Sequence, residues 1–256
     1  MEFSNKYILG FAVLLCLVCS VAVSSLYVGL RERQDVNRLL DQRLNVLSVA
    51  GIVEPGQKLP KEEVDRYFEQ IQELVLDRRT GELVEDADPT IVDPVKLAKD
   101  PGSSEPTPDD LRRGTQVQAL PHQLKLYRVD VAGHEGWVMP IWGNGLWSTL
   151  YGYLALSPDA QTVMGITYYE HGETPGLGGE VDNPAWKAQW VGKDAYDDEG
   201  LPRVTVVKAG TVVDSAYQVD GMSGATITSN GVSAMIELWL GEHGYGKFLR
   251  TVAGRS

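Results

Sequence analysis

Between Lys6 and Arg31 the chain carries no charged side chain, and the run from Tyr7 to Leu30 reads YILGFAVLLCLVCSVAVSSLYVGL. No other stretch limits the fold as tightly. Coiled into an α-helix it reaches about 36 Å, enough to cross a hydrocarbon core of about 30 Å. Tyr7 and Tyr27 stand near its two ends, where amphipathic rings favour the membrane interface. A cleaved signal peptide competes with this reading, since Ala22-Val23-Ser24 offers a small-x-small site. The apolar run is longer than a usual signal core, so an uncleaved anchor at residues 7–30 is expected, preceded by a tail at residues 1–6. Arg31, Arg33, Arg38 and Arg43 follow the run and lean towards a cytoplasmic soluble part. Long C-terminal domains translocate largely regardless of charge, so charge alone leaves the side open.

The rest of the 256 residues is acidic. The net charge is −12, and up to Leu30 only Glu2 and Lys6 are charged, so the whole excess follows residue 30. Such a surface is a poor match for nucleic acid, which needs a basic face. Cys16 and Cys19, the only two cysteines, both sit in the apolar run. They read as small residues of a lipid-facing helix, and the remainder has no disulfide and no cysteine metal site. His122, His134, His171 and His243 are scattered without metal-ligand spacing. No metal site is expected.

Apolar residues at Val36, Leu39, Leu40, Leu44 and Leu47 predict a helix over about 35–48, and Pro60 to Leu76 reads as a second. Asp86 to Gly114, rich in Pro, Asp and Ser, is expected to be a long loop. Short strands are predicted at Leu124–Val129, Gly136–Ile141, Thr149–Leu156 and Thr162–Tyr169. Arg203–Val207 and Thr211–Asp214 read as a hairpin turning at Ala209-Gly210. A last helix is expected from Ser229 to Leu240, capped by Thr228 or Ser229 and stopped by Gly241. The fold class is therefore α+β: one transmembrane helix, then a soluble domain with an antiparallel sheet flanked by helices. The expected division is a helical, loop-rich segment at residues 31–115 and a main domain at 116–256.

Chemistry concentrates where Asp220-Gly-Met-Ser223-Gly224-Ala225-Thr226 runs into Ile-Thr228-Ser229. Small neighbours leave the Thr226 hydroxyl accessible, and a helix beginning just downstream favours a phosphate there. By itself the stretch reads first as a helix-capping turn and nothing more. A Ser or Thr nucleophile lacks a local base, and no catalytic residue is assigned. Glu173-Thr174-Pro175-Gly176-Leu177-Gly178 reads as a tight turn with Leu177 at its tip. Trp142-Gly-Asn-Gly-Leu-Trp147 sets two aromatics around glycines, suited to stacking or to plain core packing.

The segment DGMSGAT resembles the flavinylation motif of the covalent FMN-binding domain family, and ETPGLG resembles the same family's loop near the flavin. The resemblance implies FMN, one per chain, joined to Thr226 by a phosphoester. A flavin transferase would place it, with Asp220, Ser223, Gly224 and Ala225 completing the recognition element. Thr174, Gly176, Leu177, Gly178 and Trp147 would lie around the flavin. The NKY start, the VDNPAW loop at Val181–Trp186 and the length extend the resemblance to the NqrC components of sodium-translocating NADH:quinone oxidoreductases. It implies a carrier within a multi-subunit inner-membrane redox pump, relaying electrons from NADH towards ubiquinone, its soluble domain periplasmic and residues 7–30 in the bilayer. The RnfG component of the Rnf electron-transport complex shares the flavin motif but is usually shorter, and a membrane-tethered flavin sensor without turnover is a further alternative.

Overall fold

A computed structural model describes residues 4–255; part of the expected tail, residues 1–3, lies outside the described residues. The chain divides into two units, Met1–Gln42 and Arg43–Ser256. The first is carried by helix α1 (Asn5–Val49), whose segment Asn5–Arg31 has a mean hydropathy of 2.5 and none of it buried. That segment is long and apolar enough to cross a membrane. The helix expected over 35–48 is its unbroken continuation.

The second unit begins on the last turns of α1 and continues with α2 (Lys61–Phe68), β1 (Gln72–Asp77), β2 (Glu82–Leu83), α3 (Pro94–Leu97) and β3 (Ser104–Pro106). There follow α4 (Asp109–Thr115), β4 (Ala119–Pro121), β5 (Gln123–Val131), β6 (His134–Asn144), β7 (Thr149–Leu156) and β8 (Val163–Glu170). A 3-10 turn at Gly178–Asp182 leads to α5 (Pro184–Ala188), β9 (Thr205–Val207), β10 (Gln218–Asp220), α6 (Thr226–Leu240) and α7 (Gly246–Val252).

Six strands form one sheet in the order β2-β1-β5-β6-β7-β8, every neighbouring pair antiparallel. The α+β expectation holds, and β5 to β8 fall where short strands were predicted between turn residues. On one face α6 packs across β6: the Trp239 ring lies 3.9 Å from that of Trp142, and its Nε1 donates to the Trp142 carbonyl at 2.7 Å. Tyr245, fully buried, donates its hydroxyl to the carbonyls of Lys125 (3.1 Å) and Pro140 (2.9 Å). Burying rings of this size dominates the core energetics, and each polar tip must find an acceptor. Beyond the central strands Phe68, Tyr127, Tyr153 and Tyr169 form a chain of ring contacts at 5.2–6.1 Å. Arg43 stacks over Phe68 and pairs with Asp65, which ties the end of α1 to α2.

Four expectations are corrected. The helix predicted from Pro60 to Leu76 ends at Phe68, and Gln72–Asp77 is strand β1, paired along its length with β5. Ile71, Leu74 and Val75 fit helical spacing, but Leu74 and Leu76 also alternate, and the available partner strand decides. The segment from Asp86 to Gly114 is not a structureless loop. Asp93 caps α3 by accepting from the Lys96 amide (3.2 Å), and Glu105 of β3 pairs with buried Arg78 at 2.5 Å. Arg78 also donates to the carbonyls of Pro121 (2.8 Å) and His243 (3.2 Å), which pins the excursion to the domain. The hairpin at Arg203–Asp214 does not form. Strand β9 pairs in parallel with β10, while the Gln218 carboxamide oxygen accepts from the amides of Val213 (2.9 Å) and Asp214 (3.1 Å). Side chains thus satisfy the backbone that a second hairpin strand would have paired. Finally, α6 starts at Thr226 rather than Ser229, so Thr228 and Ser229 lie inside its first turn and are not caps.

Close approach of α6 to the β6–β7 turn requires Gly231, where a Cβ would collide with the carbonyl oxygen of Asn144. Gly231→Ala is expected to destabilise the domain by about 2 kcal/mol through overpacking, readable as a lowered midpoint in urea denaturation with the slope unchanged.

Candidate functional site

Three segments far apart in sequence converge on one carboxylate. Glu173 opens the tight turn after β8, and only 5% of it is exposed. Its carboxylate accepts from the amides of Leu146 (3.2 Å), Trp147 (2.9 Å) and Ser148 (3.0 Å) at the β6–β7 turn. The Ser148 hydroxyl adds a fourth contact at 3.3 Å. On the other side the Thr228 hydroxyl of α6, 1% exposed, donates to the Glu173 Oε2 at 2.7 Å. Packing is tight enough to exclude side chains: a Cβ on Gly145 would lie 2.7 Å from Glu173 Oε1, and one on Gly178 would lie 2.7 Å from Thr228 Oγ1.

Burial pushes the Glu173 pKa up, but the donors from Trp147, Thr228, Ser148 and Leu146 together outweigh it and hold the pKa below the ordinary carboxylate value. The group is therefore an anion at neutral pH, and it neutralises three amide dipoles without a cationic partner.

The expected acceptor, Thr226, is the first residue of α6 and is exposed, as are Ser223 and Gly224 before it. Gly224 takes φ +76°, a conformation open to glycine, and Leu177 Cδ2 would lie 3.1 Å from a Cβ there. Ala225 is buried under the turn. No side chain caps α6, which leaves its first-turn amides facing outward. Ser229, expected as a cap, instead accepts from the Met222 amide at 3.1 Å and closes the turn from beneath. Asp220 stands apart from the hydroxyl: its carboxylate accepts from the Gly210 amide (2.7 Å) and its carbonyl from Trp186 Nε1 (2.9 Å). Its observed contacts brace the approach to the turn.

The turn Thr174–Gly178 is built as expected, with Gly176 at φ +76° and the Thr174 carbonyl accepting from Leu177 (3.1 Å) and Gly179 (3.0 Å). Leu177 is 44% exposed at its tip. Of the two tryptophans suggested for stacking, Trp142 is core and packs on Trp239, whereas Trp147 is 71% exposed. Leu146 and Ile227, 47% and 58% exposed, complete a set of bare apolar side chains on the three converging segments. The sequence reading missed the role of Glu173, because an acid beside Thr-Pro-Gly looks like a solvated turn residue. Thr228 looked like a cap for a similar reason. A cavity of about 760 Å³ between the end of α1, β8 and α5, lined by Val49, Ile52, Met164 and Lys187 among others, contains none of these residues. No group of His, Cys, Asp and Glu among the described residues is arranged to hold a metal ion.

Comparison with known proteins places this geometry in context. Residues 145–241 match the family model described as FMN-binding domain. The chain is 43% identical over 242 residues to NqrC, the C component of the Na(+)-translocating NADH-quinone reductase, from Yersinia pestis, covering 94% of this chain and 90% of that protein. To the protein of the same name in Pseudomonas aeruginosa it is 43% identical over 245 residues, 93% and 92% of the two chains. Among solved structures, the NqrC of Shewanella oneidensis superposes with a TM-score of 0.74 at 33% identity, covering 85% of this chain and 98% of that one. The corresponding protein from Parabacteroides distasonis gives 0.67 at 30% identity, covering 86% and 96%.

Because the folded-state pKa of Glu173 is depressed, its contribution is present above the unfolded pKa and is lost as pH falls through the folded one. The stability difference between wild type and Glu173→Gln should therefore shrink below about pH 4 in denaturant titrations at stepped pH. Glu173→Ala, which strands the amides, should cost about 2 kcal/mol at pH 7, moderated by water reaching the exposed turn.

Proposed function

This chain belongs to the NqrC family of the Na(+)-translocating NADH-quinone reductases, and on that premise we propose that it carries FMN esterified to the Thr226 oxygen as a relay subunit of the oxidoreductase complex. One observation carries the choice of hydroxyl. Successive residues of an α-helix are about 100° apart, so Thr226 and Thr228 project to nearly opposite sides. Thr228 is buried and its proton is committed to Glu173; Thr226 is therefore turned to solvent.

The residues fit the group. The open first-turn amides of α6 and its positive end suit a phosphate, and the exposed Thr226 follows the small Gly224 and Ala225. The exposed Leu177 and Trp147 offer apolar surface for a planar ring, with Thr174, Gly176 and Gly178 shaping the turn that presents Leu177. In maturation the Thr226 oxygen would attack the flavin-side phosphorus of FAD under a flavin transferase. The pyrophosphate bond breaks, AMP leaves and the hydroxyl proton passes to solvent. Bound there, FMN supplies the electron-storing chemistry that protein side chains lack. The chain's own task is to hold it by a bond that cannot dissociate and to keep the ring side accessible to other subunits of the complex.

In this reading residues 7–30 cross the inner membrane, 31–115 continue α1 and supply β1 and β2 to the sheet, and 116–256 carry the cofactor on the periplasmic side. The family expectation outweighs the lean of the four arginines, since charge is a weak guide for long C-terminal domains. Sodium transport and the passage of electrons from NADH to ubiquinone belong to the assembled complex, to which this chain contributes its carrier.

The tryptic peptide Ala209–Lys247, from protein made alongside the transferase, should gain the mass of FMN less water. Thr226→Val should abolish the gain and in-gel flavin fluorescence, while Thr228→Val should retain both. Loss of the flavin in the Thr228 variant alone would move the assignment to the other hydroxyl.

A further inference from the structure

A buried anion two residues from an exposed acceptor hydroxyl, through the side chain of Thr228, needs a reason beyond stability. Glu173 is joined to α6 through Thr228 (2.7 Å) and to the β6–β7 turn through three amides at 2.9–3.2 Å. These contacts reach the three segments that bear Thr226, Trp147 and Leu177. Since Thr226 and Thr228 sit about 200° apart around the helix, holding Thr228 inward fixes the direction in which Thr226 points. The Gly178 position, where a Cβ would strike both Glu173 and Thr228, leaves the pair no slack. No side chain caps this helix start, so its first turn is held by that contact and by the Ser229 bond to the Met222 amide, added to the packing of the helix body on the sheet.

We propose that Glu173 is the positioning residue of the modification site: through Thr228 it sets the rotational register of the first turn of α6 and so presents the Thr226 oxygen to the transferase. The proposal rests on Thr226 being the acceptor. Glu173 does not touch the reacting atoms; it acts through Thr228. Loss of folded protein and loss of positioning have different kinetic signatures. A smaller folded fraction lowers the effective acceptor concentration, which raises KM and leaves kcat alone. A misdirected hydroxyl lowers kcat, because small departures from attack geometry are costly.

The test uses the full chain, purified in detergent from a host lacking the transferase, as acceptor for the purified transferase and FAD. Initial rates are followed by mass spectrometry of the intact protein for wild type, Glu173→Gln, Glu173→Ala, Thr228→Val and Thr226→Val. Glu173→Ala should lower kcat by about tenfold or more with KM little changed, and Glu173→Gln, which keeps an acceptor oxygen, should recover most of the rate. Thr228→Val, which cuts the link to α6 alone, should also lower kcat, the product still at Thr226. Should Glu173→Ala fail to fold, the Thr228→Val comparison decides. Unchanged kcat in both Glu173→Ala and Thr228→Val, or a change confined to KM, would overturn this inference and leave the Thr226 assignment standing. An unmodified wild type would overturn both.

Discussion

The carboxylate of Glu173 is the constraint on which the site depends. Water would solvate such a group well, so burying it costs free energy that only several good donors can offset. Four of those donors come from the β6–β7 turn, three consecutive amides and the Ser148 hydroxyl, and the fifth is a threonine hydroxyl on α6, 55 residues away in sequence. Satisfying one anion therefore requires three segments to meet. The bare apolar side chains Leu146, Trp147, Leu177 and Ile227 are carried to one region by the same requirement. A patch of that kind on a soluble face marks a surface meant to be covered.

Glycines make this convergence sterically feasible. Gly145 and Gly178 abut the carboxylate, Gly231 lets α6 lie against the turn carrying Asn144, and Gly224 makes way for Leu177. Of these only Gly224 has a positive φ; at the others the demand is for closeness. Behind them the core is rigid. Trp239 is fully buried near the C-terminal end of α6 and Tyr245 just beyond it, both with their polar atoms bonded to strand carbonyls, so the far end of the helix is anchored to the sheet. The exposed Thr226 thus stands on a scaffold held by aromatic packing.

Much of this was legible in one dimension. Over residues 124–169 the β-prone runs between turn residues located β5 to β8, each of eight residues or more. Several shorter elements were not legible: α2 was overextended into β1, and α3, β3 and α4 were absorbed into a loop. The Asp93 cap that starts α3 is local but spans too few residues to show a period, and β3 is held by the buried Arg78, 27 residues before Glu105. At the site, Thr226 and the turn at Leu177 stand out by their small-residue neighbours. Glu173 and Thr228 lie in the same two motifs yet carry no such signal, since an acid in a turn and a threonine before a helix have ordinary local explanations.

By itself the sequence determined the membrane-spanning length of its first helix and four of the six strands of the antiparallel sheet. These follow from local properties: absence of charge, and short β-prone runs bounded by turn residues. Only the tertiary structure decided that Thr228 points inward, that Trp142 belongs to the core while Trp147 does not, and that Glu173 is an anion holding three segments together. Each of those depends on which distant donor or ring arrives within contact distance, and no local pattern along the chain encodes that encounter.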